Sequence, residues 1–225
     1  MSRLNKFTAI LFSFCLIVAS LLTIVDYNCF DRRFYSAQQD KYQIAENIGV
    51  SQSELDKITD VLLGYLQHEN DDMYVEAKVK GQTREIFNQR EKDHMIDVRN
   101  LYDGAIMVRN VCAITALISL VYLISRKSFN IISQSYNKTL IFFGMIFLFI
   151  GLFCLIDFNM FWTYFHEVFF PMNDLWLLDP RTDILINIVP EEFFFALVTR
   201  IIVIVAIAVI IYYLLFRYLR RYENA

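Results

Sequence analysis

The chain holds 225 residues, 56% of them hydrophobic, with a formal net charge of −3, and its mean hydropathy of +0.40 is too high for an ordinary soluble domain of this size. No cluster of Lys and Arg interleaves with aromatics on a polar face, so a nucleic-acid partner has no support. Cys15, Cys29, Cys112 and Cys154 lie in or beside apolar segments at unrelated spacings, with no CxxC or Cys/His zinc pattern; at least three read as small buried hydrophobes, and Cys29, at a segment end, is the one placed to react.

Residues 7–25 form an apolar run of 19 residues, enough to cross a hydrocarbon core of roughly 30 Å. Arg3 and Lys6 ahead of it place the N-terminus in the cytoplasm. No small-x-small cleavage site follows, so the run reads as a retained anchor rather than a signal peptide. From 26 to 103 the composition turns polar. Ser51-x-x-Glu54 is a capping-box signature. Leu55, Ile58, Leu62 and Leu66 then recur at three to four residues, which predicts an amphipathic helix ending near His68. Met73, Val75, Ala77 and Val79 alternate with Tyr74, Glu76, Lys78 and Lys80, the period of a half-exposed strand. Gly81-Gln82 offers a turn, and 83–87 can return as a second strand.

The stretch 91–102 is dense in titratable groups and runs straight into a second apolar span, 105–125. It lacks Gly and Pro; as a helix it sets His94 and Asp97 three residues apart on one face. There a carboxylate can hydrogen-bond one imidazole nitrogen and leave the other for proton transfer. An interfacial helix with merely solvated charges is the plain alternative. Arg109, one turn inside the span, either snorkels to the interface or faces the protein interior. Arg126, Lys127 and Lys138 mark a short cytoplasmic loop; 139–156 is the third span and 201–216 the fourth, with Arg217, Arg220 and Arg221 closing the chain inside. The expectation is an α-helical integral membrane protein, a single domain over 1–225. It has four transmembrane helices, a small mixed α+β extracytoplasmic cap from 26–103 and 158–199, and both termini in the cytoplasm.

In the second outward segment Phe158, Phe161, Trp162, Phe165 and Phe169 repeat at helical spacing, so the third helix is expected to continue as an aromatic stripe into the interface. His166 and Glu167 sit inside that stripe. Ionisable groups at membrane depth are costly and mark function. If spans two and three pack antiparallel across the short inner loop, their outer ends bring His94 and His166 together. His68, on a polar helix end, reads as solvated.

Phe170 stands where the second histidine of HExxH belongs, so a metalloprotease motif fails after His166-Glu167. GxSxG is absent, and polar residues do not collect at mid-membrane as a transporter requires. A zinc site from the two histidines and one carboxylate stays open without a motif. What remains is general acid–base chemistry on a lipid-like substrate at the outer leaflet.

His94-Met95-x-Asp97-Val98-Arg99 and Phe165-His166-x-x-Phe169 are followed by Trp176-x-x-Asp179-Pro180-x-Thr182-Asp183-x-Leu185-Ile186 and by Pro190-Glu191-x-Phe193-Phe194. In this order, with the four-span layout, they resemble the bacterial lipoprotein intramolecular transacylase family over nearly the whole chain. The resemblance implies an acyltransferase that moves the sn-2 acyl chain of a diacylglyceryl-modified lipoprotein onto the α-amine of its own N-terminal cysteine, leaving a lyso-form lipoprotein. It implies His94 and His166 as the catalytic pair and membrane lipid as a further partner; no cofactor or metal is expected. Asp93 or Asp97 would orient His94. Arg99, Tyr102 and Arg181 are candidates to steady the oxyanion or hold the lipid. Trp176, Asp179 and Asp183 support the site, the two aspartates otherwise capping turns around Pro180. A metal-dependent membrane hydrolase and a non-catalytic scaffold or sensor are the rival readings.

Overall fold

Hydropathy and helical period lay out the elements, and a computed structural model describes residues 3–223, with side chains through residue 221. In chain order these are α1 (Arg3–Cys29), α2 (Arg32–Lys41), α3 (Ile44–Ile48), α4 (Gln52–Leu66), β1 (Glu76–Val79), β2 (Gln82–Glu85), α5 (Gln89–Ser125), α6 (Phe129–Ile156), α7 (Phe158–Phe169), α8 (Leu185–Ile188) and α9 (Glu191–Glu223). The chain divides into two compact units. One takes the chain up to Tyr27, Ala105–Ile156 and the chain from Val198; the other takes Asn28–Gly104 and Asp157–Leu197.

The first unit is helical. Among the described residues four helices, α1, α5, α6 and α9, are long and apolar enough to cross a membrane; even the shortest, α1 with 27 residues, extends roughly 40 Å at 1.5 Å per residue. Their outward faces carry Val111, Leu117, Ile118, Phe149, Leu155, Ile207 and Leu214 in the open, a surface that suits lipid rather than water. Inside, Phe12, Ile17, Leu123, Ile132, Tyr136 and Phe216 make the packed core. Polar side chains join helices there: the Tyr136 hydroxyl donates to the Val209 carbonyl at 2.9 Å, Ser20 and Tyr212 share a bond of 3.0 Å, and the Tyr122 hydroxyl donates to Asn5 Oδ1 at 3.0 Å. In apolar surroundings each such group needs its partner. Arg109 pairs with Asp26 at 2.5 Å, both side chains about a quarter exposed.

Two expectations about α6 need correction. The helix begins at Phe129, ten residues before the expected start, and Lys138 lies on it rather than in a loop. Buried Ile131, Ile132, Ser135 and Tyr136 keep a helical stripe beneath the polar residues of that stretch. The connection from α5 is only three residues long. Lys127 at φ 48° ends α5 in a Schellman turn, with Ser128 N–H bonded to the Leu123 carbonyl at 3.1 Å and Lys127 N–H to that of Ile124 at 2.9 Å. Nor does α6 continue into the aromatic stripe. It stops at Ile156, where Asp157 turns extended (φ −153°, ψ 93°) and accepts from Met160 N to cap a new helix, α7.

The second unit holds the small sheet. β1 and β2 pair antiparallel from Glu76↔Glu85 to Val79↔Gln82. The turn is Lys80-Gly81, one residue earlier than the sequence suggests, with both φ values positive (49° and 89°) as a tight two-residue hairpin demands. Ala77 and Val79 point inward, beside buried Met73, Val75 and Phe87. Ser51 caps α4 as expected, accepting from Glu54 N at 3.2 Å, and Leu55, Ile58 and Leu62 line its buried face. Because Phe87 is almost fully enclosed, Phe87→Ala is expected to lower the unfolding free energy by about 3–5 kcal/mol, read as a lower midpoint of thermal unfolding in detergent.

Candidate functional site

The site lies wholly within the second unit, on the first turns of α5, on α7, and on the segment that runs from Phe170 to α8. α5 starts with a reciprocal cap. Asn88 N–H donates to Glu91 Oε2 at 2.7 Å, and Glu91 N–H donates to Asn88 Oδ1 at 3.0 Å, a capping box. His94 follows one turn later, well ahead of the apolar window that opens at Ala105. It is 6% exposed, and its Nδ1 is buried without a hydrogen-bond partner.

His166, on the last turns of α7, is 8% exposed and has its ring centre 6.1 Å from that of His94. Its Nδ1 is 2.7 Å from the Trp162 carbonyl oxygen. A carbonyl only accepts, so Nδ1 carries the proton and Nε2 of the neutral ring keeps its lone pair. Aromatic rings enclose the pair. Trp176 stacks on His166 at 5.0 Å and 22°, Trp162 meets it edge-on at 4.9 Å, and Phe170 touches both imidazoles, at 5.4 Å from His94 and 5.7 Å from His166. Two further rings lead away, Phe194 at 4.4 Å from Trp162 and Phe193 at 5.6 Å from Phe194.

Both histidines are held neutral. Burial is the main reason that His94 falls to about 4; the neighbouring His166 and Arg90 push the same way, and Asp97 opposes them. Burial also lowers His166, with the Trp162 carbonyl opposing. In the unfolded chain an imidazole titrates at roughly 6.5. Between that value and about 4 the unfolded state therefore binds more protons than the folded one does at His94. Stability is present above that window and is lost as the pH falls through it. Thermal unfolding of the wild type against His94→Asn at pH 7, 5.5 and 4 is expected to show the smaller acid-induced fall in the variant.

The polar neighbours sort differently from the sequence reading. Neither Asp93 nor Asp97 hydrogen-bonds His94, which corrects the expected orienting role. Asp97 Oδ2 accepts from Asn173 Nδ2 at 2.8 Å, and Asp93 Oδ1 accepts from Gln89 Nε2 at 2.7 Å. Helical phase explains part of this: three residues bring Asp97 near enough to be felt electrostatically, but Asn173 takes its oxygen. Arg99 does not face the two histidines. Five residues on, it is rotated roughly 140° from His94; its guanidinium covers the Tyr65 ring at 4.5 Å and bonds His68 Nδ1. His68 in turn donates from Nε2 to Asp103 at 2.8 Å, so it is paired rather than merely solvated. Tyr102 packs its ring against Phe30 at 5.1 Å. Arg181, 86% exposed, forks onto Asp179, whose carboxyl it holds below the ordinary range. Asp183 is buried, accepting from Asn88 Nδ2 at 2.7 Å and from Asp179 N–H at 2.7 Å. Trp176 is thus the supporting candidate that touches a histidine directly. Phe170 and Trp162 were not singled out for this in the sequence; their signal is the helical spacing of four on either side of His166. Among the described residues, no three His, Cys, Asp or Glu side chains group so as to hold a metal ion.

Two neutral imidazoles enclosed by aromatic rings can do one thing well. One accepts a proton at a free nitrogen while the other presents an N–H to a developing negative charge.

The family model described as lipoprotein intramolecular transacylase Lit matches residues 10–194. Comparison with curated protein sequences finds no match. Among solved structures, the membrane-integral lipoprotein intramolecular transacylase Lit from Bacillus cereus is similar at a TM-score of 0.83 and 22% identity, over 100% of this chain and 99% of that one. A histidine-to-alanine variant of that protein gives 0.78 at 21% identity over 99% and 96%. A histidine-to-arginine variant gives 0.76 at 21% over 99% and 94%. At these identities the structural likeness is one of fold.

Proposed function

Because the chain belongs to the lipoprotein intramolecular transacylase family, a family of membrane-integral enzymes, we propose that it moves the sn-2 acyl chain of a diacylglyceryl-modified lipoprotein to the α-amine of that lipoprotein's own N-terminal cysteine. The observation that carries this reading is the pair of buried neutral imidazoles, His94 and His166, 6.1 Å apart among aromatic rings.

The attacking amine has a free pKa of roughly 7.7–8 and needs a base. His166 is that base, because its Nδ1–H is committed to the Trp162 carbonyl and its Nε2 lone pair is not. The nitrogen attacks the ester carbonyl, the C–N bond forms, the C–O bond to glycerol breaks, and the proton lost by nitrogen ends on the glyceryl oxygen. His94 presents an N–H to the oxygen that bears the transient charge. Donor and acceptor belong to one molecule, so no enzyme nucleophile is required. Attack closes an eight-membered ring through the cysteine sulfur, and the aromatic rings around the histidines, once they have admitted the substrate, supply the confinement that such a closure lacks in solution. In this reading both termini are cytoplasmic and the site faces outward; Arg3, Lys6, Arg126, Lys127, Arg217, Arg220 and Arg221 support that orientation.

The test is mass spectrometry of a diacylated lipopeptide after incubation with the purified protein, with and without chelator. A product of unchanged mass, whose fragments carry one acyl chain on the cysteine nitrogen, supports the transfer. Loss of an acyl chain as fatty acid, or dependence on metal, supports a metal-dependent hydrolase; an unaltered lipopeptide supports a scaffold.

A further inference from the structure

Resting on that reading of the two histidines, we infer that Glu91 is the positioning residue of the site: its buried carboxylate clamps the first turn of α5 to the segment that carries Trp176, and so sets His94 against His166. Glu91 is 0% exposed, the one acidic side chain among the largest fully buried ones. Capping α5 does not require this, since a short exposed side chain caps a helix as well. A carboxylate taken wholly out of water must be compensated by several donors. Here the donors come from two places. Oε2 takes the N–H of Asn88 at 2.7 Å, while Oε1 takes that of Leu185 at 2.6 Å; burial pushes the Glu91 pKa up, and these backbone donors oppose it.

The second anchor has a fixed path back to His166. Asn88 Nδ2 donates to Asp183. Asp183 holds the Asp179 N–H, and the Asp179 carbonyl accepts from the N–H groups of Thr182 at 3.0 Å and Asp183 at 2.8 Å. The Leu178 N–H bonds the Trp176 carbonyl at 3.0 Å, and the Trp176 ring stacks on His166. From Glu91 the path in the other direction is one helical turn to His94. Glu91 touches neither imidazole, so it acts through their placement.

Three histidines make the test clean. With 13C-labelled histidine, the folded wild type should show His166 signals displaced by the ring current of Trp176, and a separate His68 signal. Glu91→Gln keeps one acceptor oxygen and turns an NH2 toward a backbone donor. Its His94 and His166 signals are expected to move toward free-imidazole positions while His68 stays, with kcat down tenfold to a hundredfold and KM within twofold, the size of loss that a misplacement of about 1 Å produces. If Glu91→Gln does not fold, Asn88→Ser decides. It keeps the helix cap, loses only the bond to Asp183, and is expected to give the same pattern at smaller amplitude. A folded variant with wild-type kcat and wild-type His94 and His166 signals overturns the positioning role. Should the wild type itself transfer no acyl chain while the signals still move, the functional reading falls and the clamp stands.

Discussion

His94→Ala and His166→Ala are each expected to cut the rate of N-acylation by about 10²- to 10⁴-fold, the range that a general acid or base supplies. The mass-spectrometric assay on diacylated lipopeptide reads this directly. Folding should survive, because neither ring ties the protein together through its nitrogens: His94 makes no hydrogen bond at Nδ1, and His166 bonds only to a carbonyl in its own helix. The double variant should be far less impaired than the product of the two single losses, since residues that work as one unit are not additive. Lys or Tyr at either position would keep a titratable group without restoring the geometry. Unimpaired transfer by either alanine variant would remove the two-histidine mechanism and return weight to a scaffold.

The second large effect concerns access. A histidine that is 6% exposed and another that is 8% exposed cannot meet a diacylglyceryl group as they stand. The cover is the segment from Phe170 to Trp176, whose two ring residues lie on the imidazoles. It is fastened to α5 on both sides of His94: Arg90 bonds Asp174 and Asn173 bonds Asp97. Exposed polar fastenings of this kind contribute on the order of 1 kcal/mol or less each, weak enough to open on binding. A short bifunctional thiol-reactive reagent linking Asp97→Cys to Asn173→Cys is therefore expected to reduce transfer at least a hundredfold, whereas the same double variant without reagent stays active. Full activity in the cross-linked protein would mean that substrate reaches the histidines by another side.

The sequence made much of this legible, and its failures share a physical cause. The four spans follow from apolar length alone. The two histidines stood out because titratable groups beside apolar helices are costly. Local spacing also found the Ser51 cap and the hairpin. It went astray wherever the deciding partner is distant in the chain. Asp97 looks made for His94 three residues back, yet its oxygen is taken by Asn173, seventy-six residues on. Arg99 shares a motif with His94, but its companions are Tyr65 and His68. Glu91 opens the richest stretch of the sequence, and nothing local says that it reaches Leu185. The break at Asp157 was hidden by the aromatic period that runs across it, although an Asp three residues ahead of a free N–H is a known cap signal. α6 begins early because its buried face, Ile132 and Tyr136, is spaced one turn apart beneath polar neighbours.

The second unit is stitched from two stretches of chain with two spans between them, and this has a consequence for biogenesis. His94 leaves the ribosome seventy-two residues ahead of His166, a lag of about 4–14 s at ordinary rates of synthesis. Throughout that interval the Glu91 carboxylate lacks its Leu185 partner, and Phe170 and Trp176, which will cover the pair, do not yet exist. The enzyme is thus inert by construction while it is being made. A chain that stalls before Leu185 keeps the local Asn88 cap on Glu91 and leaves Oε1 without the backbone donor it has in the finished fold.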